Sequence, residues 1–144
     1  EILLKMKPWD KILMMTDSDS LTGMPPGTYQ IGETPETLES NGKIHLPDGT
    51  IYGSGRLLLQ DVFNLIDTLK IPVPEAVAMA SLNAARFLNV DDRLGSLKVG
   101  KQADFIIVDP LHQCRATFKK GVQVCGRDQR NTLVNPEFMN LKIA

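Results

Sequence analysis

The sequence predicts an α/β fold in which at least one strand is buried on both faces. Residues 11–16 form a short run dominated by apolar side chains, without the alternation of a half-exposed strand. Such a run is typical of a strand in a parallel α/β sheet or barrel. Two later segments carry apolar residues at helical spacing, whereas residues 22–55 and the last third show short alternating strands and turn residues. These observations together predict buried β-structure, helices and an antiparallel part.

The composition is that of an ordinary soluble globular domain. The 144 residues are 42% hydrophobic and 23% charged, and the formal net charge is -1. Near-neutral charge argues against a dedicated nucleic-acid binder, and no apolar run approaches the roughly 20 residues that cross a membrane. Two cysteines are too few for a disulfide framework, so the expected compartment is the reducing cytoplasm. Because Glu1 is not methionine and residues 2–6 read like the end of a helix, we expect a piece of a longer protein.

Five segments are expected along the chain. Residues 1–21 should hold a helix end, stopped by Pro8, then the buried strand and a polar loop. The other segments are an antiparallel excursion over 22–55, two helices over 56–90, strands over 91–126 and a tail without a clear period over 127–144.

Turn residues and helical periodicity refine this organisation. The pairs Asn41-Gly42 and Asp48-Gly49 predict two-residue hairpin turns, in which both central residues have positive φ. The second helix is opened by Pro74, which suits a first turn. Its expected packing face is a stripe of mostly small residues: Val77, Ala80, Ala84 and Phe87.

Asp17 is the strongest candidate for chemistry. It follows the predicted buried strand directly, at the end where parallel α/β architectures bind ligands. A carboxylate there can accept a proton from a metal-bound water and return it to a leaving amine. From position alone, an Asp that caps a loop through its own backbone is equally consistent. Asp19, two residues on, is more typical of a turn former.

The chain offers few metal ligands. Its two histidines, His45 and His112, are far apart in sequence, and each has the setting of a surface histidine. If a metal is involved, its ligands are therefore expected upstream of Glu1. Cys114 and Cys125 would face each other if the last hairpin turned at residues 119–120, but glycine at position 121 favours a turn one residue later and two free thiols.

Basic residues give two further hypotheses. Four lysines spread over turns (Lys98, Lys101, Lys119 and Lys120) are more typical of solvated side chains than of a phosphate site. Arg56 follows Gly53-Ser54-Gly55 where a helix begins, and backbone N–H groups at such a place suit an anionic or polar substrate group. A solvent-exposed arginine is the competing interpretation.

Several motifs, in this order, resemble N-acetylglucosamine-6-phosphate deacetylases of the amidohydrolase superfamily. The segment Ile12-Leu13-Met14-Met15-Thr16-Asp17, with Thr22-Gly23-Met24-Pro25 and Gly27-Thr28-Tyr29, is similar to the last barrel strand and following loop of these enzymes. Residues 48–54 are similar to the return of the family's β excursion. Residues 80–86 and 95–104 are similar to features found across the superfamily.

The resemblance covers about residues 1–126 and implies both a fold and an activity. The fold would be the C-terminal part of a (β/α)8 barrel together with part of a small β-sandwich. Asp17 would act as general base on a metal-activated water and then as general acid to the sugar amine. The metal, zinc or iron, would be held by residues upstream of this chain. The substrate would be N-acetylglucosamine-6-phosphate, bordered by Gly53, Ser54, Arg56 and Leu58.

Two positions depart from the family pattern and leave the substrate open. The family usually has an apolar residue at Arg56 and a small or apolar one at Asp19, so another acylated amino sugar is possible. We expect the isolated chain to be inactive and to self-associate, because a barrel strand without its partners exposes its edges, and we expect the whole enzyme to be a homo-oligomer. The alternatives are a non-catalytic β-rich interaction module and an amidohydrolase that acts on another amide.

Overall fold

The computed structural model describes residues 1–126, and the predicted α/β class is confirmed there. The chain divides into two compact units, residues 1–83 and the residues from Ala84 onward. The helices are α1 (Ile2–Met6), α2 (Leu58–Asp67), α3 (Val73–Ala80) and α4 (Leu82–Phe87), with a 3-10 helix at Trp9–Lys11. The strands are β1 (Gly27–Ile31), β2 (Thr34–Leu38), β3 (Lys43–His45), β4 (Ile51–Ser54), β5 (Phe105–Val108), β6 (Cys114–Lys119) and β7 (Val122–Gly126). The predicted tail over 127–144 lies outside the described residues. None of the described helices is long and apolar enough to cross a bilayer.

The first unit contains a four-stranded antiparallel sheet in the order β1-β2-β3-β4. Strands β1 and β2 are joined by a two-residue turn that opens with Gly32 at φ +59, as tight hairpins require. Leu38 of β2 pairs with Ile44 of β3, and both are buried together with Leu21, with Tyr29 packed against them. The sheet therefore has an apolar face, covered in part by the chain that follows Asp17.

The predicted strand over residues 11–16, buried on both faces, is wrong for this structure. Lys11 closes the 3-10 helix, and the residues after it are extended without a named strand. Leu13 is 45% exposed and Met15 80% exposed. A strand of a parallel sheet needs neighbouring strands, and among residues 1–126 the nearest ladder contact to this segment is the bridge at Ser18, two residues beyond it. The expected self-association, which follows from such exposed apolar side chains, stays a prediction.

The two predicted hairpin turns are longer than expected. Gly42 and Gly49 do have positive φ, +88 and +85, but Asn41 and Asp48 do not. The side-chain oxygen of Asn41 instead accepts the Lys43 amide at 2.8 Å, and that of Asp48 accepts the Thr50 amide at 2.9 Å. Asn and Asp commonly bond the backbone two residues on. These bonds stabilise connections of four and five residues in place of two.

The second predicted helix is broken in two. Helix α3 ends at Ala80, Ser81 has φ -138, and α4 begins at Leu82. The expected packing stripe is also wrong, because Val77 is 47% exposed and Phe87 is 73% exposed. In the part of these helices that belongs to the first unit, the buried residues are instead Ala76, Ala78, Met79 and Asn83.

Asn83 is a buried polar residue of this helical region, and it bonds the main chain of residues 9–12. It is 3% exposed, and its amide Nδ2 donates to the carbonyls of Trp9 and Ile12, each at 2.8 Å. Close by, the Met14 amide donates to the Met79 carbonyl at 2.9 Å. The helical region thus contacts the main chain that leads to Asp17, in part through a buried polar side chain that periodicity does not reveal.

The second unit contains the antiparallel sheet β5-β6-β7. Its last hairpin turns at Lys120 and Gly121, with φ +52 and +79, so the predicted turn is confirmed. Cys125 consequently pairs with Thr117, and both cysteines are free and exposed, as expected. The Lys120 amide donates to Asp104 at 2.7 Å and lowers the pKa of that carboxyl. The motif residue Asp104 therefore supports this turn.

Lys101 differs from the expectation of a solvated lysine. It is half-buried, and its ammonium donates to the carbonyl oxygens of Asp91 and Leu94 and to the hydroxyl of Ser96. Three acceptors within one loop satisfy all three protons of the ammonium group. In the glycine-lysine-glutamine-alanine-aspartate motif, the lysine therefore holds the loop that precedes the motif.

Candidate active site

The segment that carries Asp17 is fixed by main-chain hydrogen bonds to the end of β4. Ser18 forms a parallel bridge with Ser54. The Ser54 amide donates to the Asp17 carbonyl at 2.8 Å, and the Asp19 amide donates to the Ser54 carbonyl at 3.0 Å. Residues 17–19 thus lie beside β4 at the edge of the sheet.

Hydroxyl groups reinforce this placement. The Thr22 hydroxyl donates to the Ser54 carbonyl at 3.0 Å, and the Ser18 hydroxyl donates to the Arg56 carbonyl at 2.9 Å. The Thr16 and Ser18 hydroxyl oxygens are 2.7 Å apart and share a hydrogen bond. Thr22 and Ser18 therefore bind backbone carbonyls at the end of β4 and just beyond it through their hydroxyl groups.

Asp17 itself adopts an uncommon backbone conformation. Its φ is +54, in the left-handed region, which Asp tolerates better than most residues. The side chain is exposed. Backbone conformations of this kind cluster at functional sites, where the surrounding structure holds them in place. Here the holding contacts are the bonds to Ser54.

An open cavity of about 310 Å³ lies at this edge. Its lining combines the acidic loop with β4: Asp17, Ser18, Asp19, Ile51, Tyr52 and Gly53. The cavity is of the size that small ligands occupy. Of the residues predicted to border a sugar, Gly53 lies in this lining.

Gly53 is required by both its conformation and its neighbours. Its φ is +74. A Cβ at this position would lie 3.1 Å from the Asp17 carbonyl oxygen and 3.1 Å from the Asp19 Cβ. Any side chain here would therefore press on the acidic loop.

Replacing Gly53 by alanine is expected to displace the Asp17 loop and to lower kcat/KM of the full-length enzyme. Gly49→Ala is the matched control, since Gly49 also has positive φ, +85, but a Cβ there meets nothing within 4 Å. Both variants should lose about 1 kcal/mol of stability from the strained φ. Steady-state kinetics and thermal unfolding separate the two effects. Equal kcat/KM losses in the two variants would contradict a role for Gly53 in placing the loop.

The other predicted substrate contacts are occupied with structural partners. The Ser54 hydroxyl accepts the Arg56 amide at 3.0 Å. The Arg56 guanidinium pairs with Asp61 at 2.6 Å and reaches the Asn41 carbonyl at 3.4 Å. Leu58 is the first residue of α2. The cavity lining contains none of Ser54, Arg56 and Leu58, and their substrate roles stay predictions.

Three residues near the site were not anticipated. Ile51 and Tyr52 line the cavity from β4. Glu36 is 4% exposed on β2, and one of its carboxyl oxygens, Oε2, has no hydrogen-bond partner among the described residues. Burial, together with the negative charge of Asp19, raises the pKa of Glu36. Its inward position follows from the alternation with Leu38, which is a readable signal in the sequence.

The described residues do not fit a metal ion. Within residues 1–126, no group of three or more His, Cys, Asp or Glu side chains is placed to hold one. His45 is half-buried on β3, with Nδ1 2.9 Å from the Leu46 carbonyl and Nε2 3.5 Å from Glu39. His112 lies exposed in the turn before β6, at φ +63. Neither histidine lies in the cavity lining beside Asp17.

The fold and the acidic loop agree with a match to the sequence model of the amidohydrolase family, which covers residues 9–142. The chain belongs to the amidohydrolase family. Its relatives narrow the resemblance to sugar-phosphate deacetylases, as expected from the motifs. The N-acetylglucosamine-6-phosphate deacetylase of Haemophilus influenzae is 31% identical over 113 residues, which are 78% of this chain and 30% of the relative.

A second relative is named as a deacetylase of a different sugar phosphate. The N-acetylgalactosamine-6-phosphate deacetylase of Escherichia coli O157:H7 is 37% identical over 101 residues, which are 69% of this chain and 26% of the relative. Among solved structures, the N-acetylglucosamine-6-phosphate deacetylase of Thermotoga maritima matches with a TM-score of 0.75 and 29% identity, over 85% of this chain and 33% of that chain. The chain thus spans about a quarter to a third of the length of these relatives.

Proposed function

We propose that the full-length protein is a deacetylase that hydrolyses N-acetylglucosamine-6-phosphate to glucosamine-6-phosphate and acetate. The observation that carries this proposal is the exposed carboxylate of Asp17. It lies on a cavity, in a strained conformation held by Ser54, within a chain similar to deacetylases of this kind. The sugar-phosphate substrate is inferred from the relatives' names.

The chemistry assigned to Asp17 is proton transfer. A water molecule attacks the acetamide carbonyl carbon while the Asp17 carboxylate takes one of its protons. The carboxyl then gives that proton to the sugar nitrogen as the carbon–nitrogen bond breaks, releasing acetate and the amine. A side chain with this task has to be within hydrogen-bond reach of both atoms, which suits an exposed carboxylate at the cavity rim.

The wider architecture belongs to the same proposal. The full-length enzyme would be a (β/α)8 barrel with a small β-sandwich, cytoplasmic and homo-oligomeric. The family generally depends on a divalent metal, and we propose zinc or iron here. The residues that bind it would belong to the two thirds of the relatives' length that this chain does not span.

N-acetylgalactosamine-6-phosphate is the second candidate substrate. The Escherichia coli relative named for that sugar is 37% identical to this chain, against 31% for the Haemophilus influenzae relative. The two sugars are epimers with the same acetamide and phosphate groups, so the chemistry of Asp17 applies to both. Asp19 lies in the cavity lining and departs from the family pattern, so we propose it as the residue that distinguishes the two sugars.

Acetate release from the two sugar phosphates tests the proposal. The metal-loaded full-length enzyme should hydrolyse N-acetylglucosamine-6-phosphate with the higher kcat/KM, and chelation should abolish activity until metal is restored. The unphosphorylated sugar is the control for phosphate recognition. The 144-residue chain alone should release no acetate. A full-length enzyme that is inactive on both sugar phosphates would rule the proposal out, and a preference for the galactosamine epimer would replace the first substrate by the second.

A further inference from the structure

Arg56 is the residue at which three parts of the first unit meet. Its side chain contacts α2 and the β2–β3 connection (residues 39–42), and its main chain bonds the loop that carries Asp17. It precedes Leu57, the N-cap of α2. The carbonyl that accepts the first helical amide is that of Leu57, so the Arg56 carbonyl is left for a donor from elsewhere in the chain.

The Arg56 side chain is held at several points. Its Nε donates to the Asp61 carboxylate at 2.6 Å, and its Nη1 reaches the Asn41 carbonyl at 3.4 Å. Its stem lies against Gly42, because a Cβ added there would overlap with the Arg56 Cγ. The neighbouring Gly55 amide donates to the Gly42 carbonyl at 2.9 Å. These contacts tie the chain at Arg56 to α2 and to the β2–β3 connection.

The main chain of Arg56 extends this anchorage to the residues on either side of Asp17. The Ser18 hydroxyl donates to the Arg56 carbonyl at 2.9 Å. Because this hydroxyl has a single proton, the 2.7 Å bond between the Thr16 and Ser18 hydroxyls is donated by Thr16. The two neighbours of Asp17 are thus joined to each other and to Arg56, and Asp17 lies between them at φ +54.

We propose that Arg56 is a positioning residue that holds Asp17 in place through the hydroxyl of Ser18, in place of the substrate contact expected from the sequence. Its guanidinium is engaged by Asp61 and Asn41. Within residues 1–126, the lining of the cavity beside Asp17 does not include it. A carboxylate that transfers protons must stay within reach of both reacting atoms, so displacement of its loop lowers kcat more than it raises KM. This kinetic consequence rests on the proposed deacetylase function.

A double-mutant cycle in the full-length enzyme tests positioning against substrate contact. Arg56→Met removes the guanidinium but keeps an unbranched stem, and Asp61→Ala removes its partner on α2, where alanine suits the helix. Each should lower kcat for acetate release by about tenfold with KM changed less than about twofold. The double variant should be no slower than Arg56→Met, since both substitutions remove the same contact.

The control for loss of charge is Arg93→Met, which removes an exposed arginine of the second unit and should keep wild-type kinetics. A raised KM in Arg56→Met, with unchanged kinetics in Asp61→Ala, would identify a substrate contact and overturn the proposal. An unchanged kcat in both variants would overturn it as well.

Gly42→Ala reaches the same contact without changing any charge, and it keeps the proposal testable if Arg56→Met fails to fold. The added Cβ displaces the Arg56 stem, so kcat should again fall while KM is kept. Gly49→Ala is matched for backbone strain, with φ +85 against +88, and its Cβ meets nothing within 4 Å. Equal kcat values for these two glycine variants would count against a role of Arg56 in placing the loop.

Amide hydrogen exchange gives a readout that is independent of acetate release. The Ser54 amide donates to the Asp17 carbonyl and the Asp19 amide to the Ser54 carbonyl, so their exchange reports on the loop. In Arg56→Met both amides should exchange about tenfold faster, whereas those of the β1–β2 hairpin should exchange as in the wild type. Unchanged exchange at both amides would overturn the proposal even in an active enzyme. If the wild type releases no acetate, the deacetylase function fails and the exchange rates alone decide on Arg56.

Discussion

Replacing Asp17 by asparagine is expected to lower the rate of acetate release by about 10²-fold or more in the metal-loaded full-length enzyme. The amide cannot take a proton from the attacking water, yet it has nearly the shape of the carboxylate. Asn also tolerates the left-handed φ of +54 that Asp17 adopts. The substitution therefore removes the base without the backbone strain that a bulkier residue would add. The measurement is steady-state acetate release under saturating substrate, with circular dichroism to verify the fold.

Asp48→Asn is the matched control for this experiment. Asp48 is exposed in the β3–β4 connection, and its Oδ1 accepts the Thr50 amide at 2.9 Å, a bond that an asparagine oxygen also makes. This variant should keep wild-type turnover. If Asp17→Asn retains more than about a tenth of the wild-type rate, Asp17 does not transfer the proton, and the proposed mechanism fails at its central step.

Asn83→Ala is expected to destabilise the protein by about 2 kcal/mol. Truncation removes two hydrogen bonds, to the carbonyls of Trp9 and Ile12, and leaves a small cavity at a position that is 3% exposed. Each such bond contributes about 1 kcal/mol, and large effects of single substitutions arise at buried polar contacts of this kind. Urea denaturation of the full-length protein measures the change.

The matched control for Asn83 is Asn64→Ala. Asn64 is exposed on α2, where it accepts the Thr68 hydroxyl at 2.9 Å. A surface substitution of this kind should change the free energy of unfolding by at most about 0.5 kcal/mol. Indistinguishable denaturation midpoints for the two variants would show that Asn83 does not anchor the segment before Asp17.

Local signals in the sequence predict much of the secondary structure. The turn at Lys120-Gly121 is indicated by Gly121, which tolerates positive φ, and the position of α2 follows from its apolar spacing. The failures have a common cause. Whether residues 11–16 form a strand depends on partners elsewhere in the protein, and Asn83, which follows the break at Ser81, bonds a carbonyl 74 residues away in sequence.

The sequence predicts one residue of the candidate site, Asp17, but not the residues that surround it. Asp17 is visible because it ends an apolar run. The burial of Glu36 on β2 depends on the pairing of β2 with β1 and β3. The side chain of Arg56 was equally hard to place, since its partner Asp61 becomes apparent only when the start of α2 is known. The contact between Arg56 and Asp61 is local, but it depends on the residue at which α2 begins, and periodicity gives that boundary only approximately.

The bonds between the Asp17 loop and the end of β4 have a consequence for the order in which the unit folds. The Ser18 hydroxyl and the Arg56 carbonyl are 38 residues apart in sequence, whereas β1 and β2 meet across two residues. Closing a long loop takes more conformational entropy than closing a short one, so contacts between distant residues form later as a rule. We expect the β1–β2 hairpin to form early and the cavity to be completed late. The tip of that hairpin is accordingly the place where insertions should be tolerated without moving Asp17.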